Sequence, residues 1–296
     1  MRRARTVLGP LIDRVEGASG LDPAARALGK LARRAVGPGA VKDALSGTWQ
    51  GHALHPALTD VVIGSLFSAT ILDVTGRDPG RSAARLIRVG LVAAVPTALT
   101  GVTDYGDSEE GSDAVRRAGL VHAAVNVTGL SLYAASLVAR RRGARFVGVL
   151  LGLGGAGTLS AAAFLGGHLA LTRGIGPDQT VFDPGPEEWT PAVEASQLRP
   201  GQVIRVVIAD TPVALLRDGN RTFAIHDRCS HRGCSLSATG AVDGARIVCG
   251  CHGSTFDLYD GSIRRGPATA PQPTFDVRER DGMIELRRHA RAPAPR

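Results

Sequence analysis

The sequence predicts two domains of opposite class: a bundle of four membrane-crossing α-helices, then a small all-β domain of antiparallel sheets. Three observations carry this. Four apolar segments follow one another between residues 53 and 172, and the last two run some twenty or more positions without a charged residue. That is enough to cross a hydrocarbon layer ~30 Å thick. Beyond residue 190 the apolar residues fall into short runs separated by Asp-Gly turns. All four cysteines lie between 229 and 251, interleaved with two histidines, so they are committed to one site and not to a disulfide-rich scaffold.

Residues 1–50 are basic, and no apolar run follows the Arg2-Arg3 pair, so no secretory or twin-arginine signal is recognisable. Asp22-Pro23 is a helix start and Gly37-Pro38 a stop. Between them Ala25, Leu28, Leu31, Ala32 and Ala35 fall on one side, and Arg26, Lys30, Arg33 and Arg34 on the other. This amphipathic helix either lies on anionic lipid or packs on its own protein. The net charge of +8 comes with only 4% aromatic residues, which argues against nucleic acid and for the lipid membrane as the acidic partner.

The helical domain is expected over residues 51–172, with segments at about 53–74, 87–103, 118–139 and 146–172. Asp60 and Asp73 interrupt the first, and Arg85, Arg88 and Asp104 crowd the second, so buried helices of a soluble bundle are the competing reading there. Pro96 and the many Gly and Ala residues favour the membrane, where small residues let helices approach closely. If the helices alternate in direction, His52, His55, Asp60, Asp104, His122 and His168 all fall at one membrane face. Ionisable residues at membrane depth are costly and mark sites. His55, His122 and His168, with Asp60, are therefore candidates for a b-type haem or quinol site, against a purely structural role. This half resembles a family of bacterial four-helix membrane domains of unknown function that carry His-Pro near the first helix, here His55-Pro56.

Residues 173–189 turn to Gly, Pro and Asp and read as a linker. Strand-like runs follow at 203–208, 213–217, 222–226, 246–249, 275–278 and 283–286, separated by turns such as Asp218-Gly219-Asn220, Asp260-Gly261 and Asp281-Gly282. The β domain is expected over 190–289, with a disordered tail at 290–296.

Within it, Cys229-x-His231 and Cys249-x-x-His252 sit on two loops about one hairpin apart, and can hold one metal centre between them. A tetrahedral zinc site is the competing reading. With the flanking Gly-Cys and His-Gly-Ser, the pattern resembles the Rieske [2Fe–2S] domain, an all-β fold with an inserted cluster-binding subdomain. The resemblance implies that Cys229 and Cys249 ligate one iron and His231 and His252 the other. Two thiolates fewer than in an ordinary ferredoxin ease the addition of an electron and raise the potential.

The resemblance further implies a disulfide between Cys234 and Cys251. That bridge is a mark of the Rieske proteins of quinol-oxidising complexes more than of dioxygenase ferredoxins. Ser254 matches a serine that bonds a bridging sulfide. Phe256 stands where that subfamily has a tyrosine, so the potential is expected inside the Rieske span of about −150 to +300 mV but below its top. The stretch from Gly266-Pro267 to Pro273 resembles the proline loop over the cluster.

These readings lead to a membrane-anchored one-electron carrier, an electron-transfer component and not a stand-alone catalyst, serving a redox partner protein or membrane quinol. A quinol-oxidising enzyme subunit and a redox sensor are the alternatives. A terminal oxygenase is not expected, because about forty residues remain past His252 with no two-His-one-carboxylate pattern. Localisation is expected in a bacterial cell membrane as a multi-pass protein. Arginines at 77–88 and 140–145 would place their end in the cytoplasm and the cluster domain outside. The basic N-terminal segment, Arg116-Arg117 and cytoplasmic cluster assembly pull the other way, and on balance the cluster domain is expected on the cytoplasmic face.

Overall fold

The computed structural model describes residues 8–76 and 80–289, which leaves Arg2-Arg3, Arg77 and the expected 290–296 tail outside the described residues. The chain forms two compact units, one of residues up to Gly37 with Ala53–Ile175, the other of Pro38–His52 with residues from Gly176 onward.

In the helical unit, α1 (Gly9–Gly17) and α2 (Asp22–Ala35) precede the long helices. The intervening helix α3 (Ala40–Ser46) belongs to the other unit. The long helices are α4 (Leu54–Thr75), α5 (Arg81–Ser108), α6 (Asp113–Arg141) and α7 (Arg145–Gly167), the last closing in a π-turn at His168–Thr172. All four are long and apolar enough to cross a membrane. Helix α5 extends past the expected 87–103 at both ends, because Arg85, Arg88 and Asp104 end the apolar stretch without ending the backbone ladder. Of the two readings of α2, the structure has it packed on its own protein. Ala25, Gly29 and Ala32 are buried, the Tyr105 hydroxyl donates to the Ala25 carbonyl (3.1 Å), and Arg117 grips Asp22 through two bonds of 2.7 and 2.8 Å.

The hairpins α4–α5 and α6–α7 repeat one another. The Tyr133 hydroxyl donates to the Leu66 carbonyl, and Arg140 pairs with Asp73, in both cases across a separation of 67 residues. The same shift carries His55 onto His122. A nearly equal shift carries Gly90, Thr97 and Gly101 of α5 onto Gly155, Ala162 and Gly166 of α7. A Cβ at Gly90 would strike Leu66, and one at Gly155 would strike Tyr133, the residue equivalent to Leu66. Contact between equivalent residues of α4 and α6 puts their facing stripes beside a pseudo-twofold axis, the arrangement of parallel membrane repeats.

In the β unit, β1 (Thr190–Glu194), β10 (Met283–Arg288) and β9 (Phe275–Arg280) form one antiparallel sheet in that order. β2 (Val203–Ile208), β3 (Thr211–Asp218) and β4 (Arg221–His226) form a second. Leu198, Ile208, Val213, Leu215, Ile284 and Leu286 make a core between them. Between β4 and β9 the chain inserts a short helix, α8 (Leu236–Thr239), and a third sheet of β5 (Ala241–Asp243), β6 (Arg246–Val248), β7 (Thr255–Asp257) and β8 (Ile263–Arg265). The expected linker is irregular but lies along this unit: the Gln179 N–H donates to the Ser230 carbonyl (3.1 Å) and the Arg288 N–H to Pro186 (2.7 Å).

Candidate metal centre

Two loops of the inserted sheet carry the motif residues, and they are built alike. In the first, between β4 and α8, the Cys229 N–H donates to the Cys234 carbonyl (2.8 Å) and the Gly233 N–H to the Cys229 carbonyl (2.8 Å). In the second, between β6 and β7, the Cys249 N–H donates to Ser254 (2.8 Å) and the Gly253 N–H to Cys249 (3.0 Å). Gly233 and Gly253 both stand at positive φ, +77° and +84°, which only glycine adopts at little cost. Each turn aims two successive N–H groups at its cysteine sulfur: those of His231 and Arg232 at Cys229, and those of Cys251 and His252 at Cys249.

The two cysteines are buried, and their thiols hydrogen-bond one another. Cys249 is held low, at about 6, by the Cys229 thiol and then by the N–H groups of Cys251 and His252, while Cys229 is pushed up correspondingly. Burial keeps His231 well below its usual range, so its imidazole is neutral, the form that ligates metal. The His231 and His252 rings lie 5.1 Å apart, nearly perpendicular. Two facing sulfurs with donors already aimed at them, beside two imidazoles, fit a cluster bound by thiolate on one side and nitrogen on the other.

Cys234 and Cys251 form a disulfide across the two loops, with Cα atoms 6.6 Å apart. Ser254 is fully buried and its hydroxyl accepts the Ala268 N–H (3.0 Å), while Phe256 is enclosed in the core without a hydroxyl to offer. Pro38–His52 docks on the 266–273 loop: the Thr48 hydroxyl donates to the Ala268 carbonyl (3.1 Å), and a Cβ at Gly266 would collide with the Thr48 side chain. No sequence signal marked that contact, because residues 38–52 are far from the motif in the chain.

Two supporting residues also escaped the sequence reading. Gln272 is buried and clamps the stretch from His226 to Ser230 through three bonds. Its side chain accepts the Ser230 N–H (2.8 Å) and donates to the carbonyls of His226 (2.7 Å) and Arg228 (2.6 Å). Asp227 accepts the Ser237 N–H (2.7 Å) and the Ser235 hydroxyl (2.8 Å), fixing the exit of the first loop. A Gln in a proline-rich loop and an Asp before a Cys are too common to be read as signals.

In the helical unit, His55 and His122 occupy equivalent positions. The Nδ1 of His55 bonds the Thr97 carbonyl (3.0 Å), and the Nδ1 of His122 bonds the Ala162 carbonyl (2.9 Å). Gly101 and Gly166 make room for the two rings, since a Cβ on either would meet the imidazole Cε1 at 2.7 and 3.0 Å. His168 stands apart from this pair, its Nε2 bonded to Glu16 (2.8 Å), and Asp60 is exposed.

A small β unit that gathers two thiols and two imidazoles from twin loops of an inserted subdomain defines a [2Fe–2S] electron-transfer domain. Residues 188–276 match the Rieske [2Fe-2S] domain model, and the chain belongs to that family. Residues 51–179 match a predicted membrane protein family, DUF2231. Ferredoxin CarAc of Metapseudomonas resinovorans is 34% identical over 97 residues, covering 32% of this chain and 90% of that protein. The anthranilate 1,2-dioxygenase ferredoxin subunit of Burkholderia cepacia is 30% identical over 99 residues, covering 33% and 91%. The ferredoxin of carbazole 1,9a-dioxygenase from Nocardioides aromaticivorans IC177 aligns at 25% identity with a TM-score of 0.32, covering 34% of this chain and 98% of that one.

The β unit is thus a Rieske ferredoxin-like electron-transfer domain. The bridge had pointed towards the quinol-oxidising branch, whereas these relatives are dioxygenase ferredoxins. Two cysteines carried the first likeness, and about a hundred aligned positions carry the second.

Proposed function

We propose that the protein is a membrane-anchored one-electron carrier in which Cys229 and Cys249 hold one iron of a [2Fe–2S] cluster and His231 and His252 the other. The twin loops are the observation that carries this reading. When bound, the cluster supplies a reversible one-electron couple. The chain's part is to donate N–H groups to the sulfurs, to seal the 266–273 side through Gln272, and to offer the Ser254 hydroxyl, whose oxygen already accepts Ala268, as a donor towards a sulfide. Ferredoxin subunits of dioxygenases are the named relatives, so an oxidoreductase protein is the expected electron partner, with membrane quinol as the alternative. Electron paramagnetic resonance of dithionite-reduced membranes tests this. A signal from a reduced mixed-ligand cluster is expected; colourless protein holding zinc would sink the reading.

A second reading is favoured by the repeat. His55 and His122 are equivalent residues, each oriented through Nδ1 on a backbone carbonyl, which is how imidazoles are preset to bind through Nε2. We infer that this pair, and not His168 or Asp60, would hold a b-type haem or a quinol headgroup. A pyridine haemochrome spectrum of purified protein answers for haem, and quinol-dependent cluster reduction for quinol; neither response would leave the pair a helix clasp.

Orientation belongs to the same proposal. The expectation of a cytoplasmic cluster unit meets two opposing observations, the bridge, which suits an oxidising compartment, and the arginines gathered at the end of the bundle opposite to the one from which α7 leads on. We favour the cluster unit on the non-cytoplasmic face of the bacterial membrane. Protease protection in oriented vesicles decides between the two.

A further inference from the structure

At the end of the helical unit away from His55 and His122, the start of α5 and the α6–α7 turn enclose a cavity of about 440 Å³. Six arginines line it: Arg81, Arg85 and Arg88 from α5, and Arg140, Arg141 and Arg145 from the turn region. Ala84 and Leu137 supply an apolar floor. Arg140 is committed to Asp73, with both side chains almost fully buried. That pair anchors the wall of the cavity, and Arg81, Arg85, Arg88 and Arg141 contribute to its positive charge.

Arg81, Arg85 and Arg88 are exposed, and three to four residues separate them along α5, so they form one ridge facing the same side. Helices of 28 and 29 residues are long enough for these ends to lie at headgroup depth. A concave rim there bearing Arg81, Arg85, Arg88 and Arg141, over an apolar floor, is a poor surface for water alone and a good one for a phosphodiester whose tails continue into hydrocarbon. Guanidinium groups bind phosphate in paired hydrogen bonds, which an ammonium cannot do. Basic pockets between membrane helices on the leaflet rich in anionic lipid suit such headgroups.

We propose that this cavity is a binding site for the headgroup of an anionic phospholipid, held by Arg81, Arg85, Arg88 and Arg141. The site is separate from the cluster and from the histidine pair. Its ligand is a structural lipid of the arginine-bearing leaflet.

The test uses the full chain, cluster loaded, in nanodiscs of phosphatidylcholine alone or of equal parts phosphatidylcholine and phosphatidylglycerol. Native mass spectrometry after release should show phosphatidylglycerol retained by the wild type and a raised unfolding midpoint in the mixed discs. The triple variant Arg85→Gln/Arg88→Gln/Arg141→Gln should lose retention on the order of a hundredfold, given about a fifth of the affinity kept per basic residue removed. Arg26→Gln, at an exposed position elsewhere in the unit, should lose nothing. Replacing the same three arginines by Lys should keep most of the charge attraction but weaken retention. That graded response also serves if the Gln triple fails to fold.

Equal retention of phosphatidylcholine, or a Gln triple that keeps phosphatidylglycerol, overturns the proposal. Competition by inorganic phosphate as strong as that by soluble short-chain phosphatidylglycerol would mean a free-anion site, and would overturn the lipid assignment.

Discussion

The two units of this protein are both built on duplication, yet they use it for different ends. In the β unit the repeated object is a turn: Cys229 to Cys234 and Cys249 to Ser254 share the same hydrogen bonds and the same glycine, and the copies bring two thiols and two imidazoles face to face. In the helical unit the repeated object is a hairpin, and its copies meet along a stripe that runs from His55 and His122 to the Asp73–Arg140 pair. A turn repeats in six residues and converges on a pair of sulfurs, so each position is chemically specified. A hairpin repeats over 67 and converges on packing, so most positions need only be small or apolar.

The sharpest way to break the comparison is to strike one copy of the turn. Cys229→Ser or His252→Ala should abolish the reduced-cluster resonance entirely, with the helical unit unfolding at its unchanged temperature in calorimetry.

Next in size is the helical stripe. Asp73 and Arg140 are 3% and 6% exposed, so Asp73→Asn leaves a guanidinium without its counter-ion and should cost about 3–5 kcal/mol. Asp73→Leu with Arg140→Leu should recover most of that, read as thermal unfolding in detergent. Failure of the double change to recover would mean that the pair does more than hold the repeat together.

A smaller effect is expected at Gln272. Replacing it by Leu strands the Ser230 N–H and removes the bonds to two carbonyls, for about 2–3 kcal/mol in denaturant unfolding of the β unit and faster loss of cluster absorbance.

The mildest is a pH effect at His226. Its Nδ1 accepts the Arg228 N–H and its Nε2–H faces the Asp183 carbonyl, and burial holds its pKa below the ordinary value. Above about pH 6.5 the ring is neutral folded or unfolded and costs nothing. Below that the unfolded chain takes up a proton that the folded one refuses. Stability should therefore fall with falling pH by up to about 1.4 kcal/mol per unit, and His226→Gln should flatten that slope.

The contrast also explains what could be read in the chain. That Cys229, His231, Cys249 and His252 come together was legible because few residue types ligate metal and their spacing is tight; the structure brings the two thiols into contact and the two rings to 5.1 Å. The four long helices were legible from uncharged length, with ends misjudged where charged residues extend α5 at both ends and α6 at its start beyond the apolar stretch. The repeat was not legible. Beyond His55 and His122, Gly90 and Gly155, and Gly101 and Gly166, its paired positions mostly exchange one small or apolar residue for another, Asp73 stands opposite Arg140, and Leu66 opposite Tyr133. The docking of Pro38–His52 was hidden for another reason: it depends on a Thr hydroxyl meeting a carbonyl 220 residues away.

The bridge between Cys234 and Cys251 bears on which metal the protein acquires at all. Its two sulfurs and that of Cys249 lie within 4.8 Å of one another. Reduced, these three thiols would gather beside the Cys229–Cys249 contact, a sulfur-rich setting that zinc takes readily. Oxidised, the pair withdraws from coordination and leaves two thiolates for iron. Closing the bridge before loading would thus act as a proofreading step against mismetallation, and the zinc-to-iron ratio of protein matured with the pair open or closed would measure its stringency.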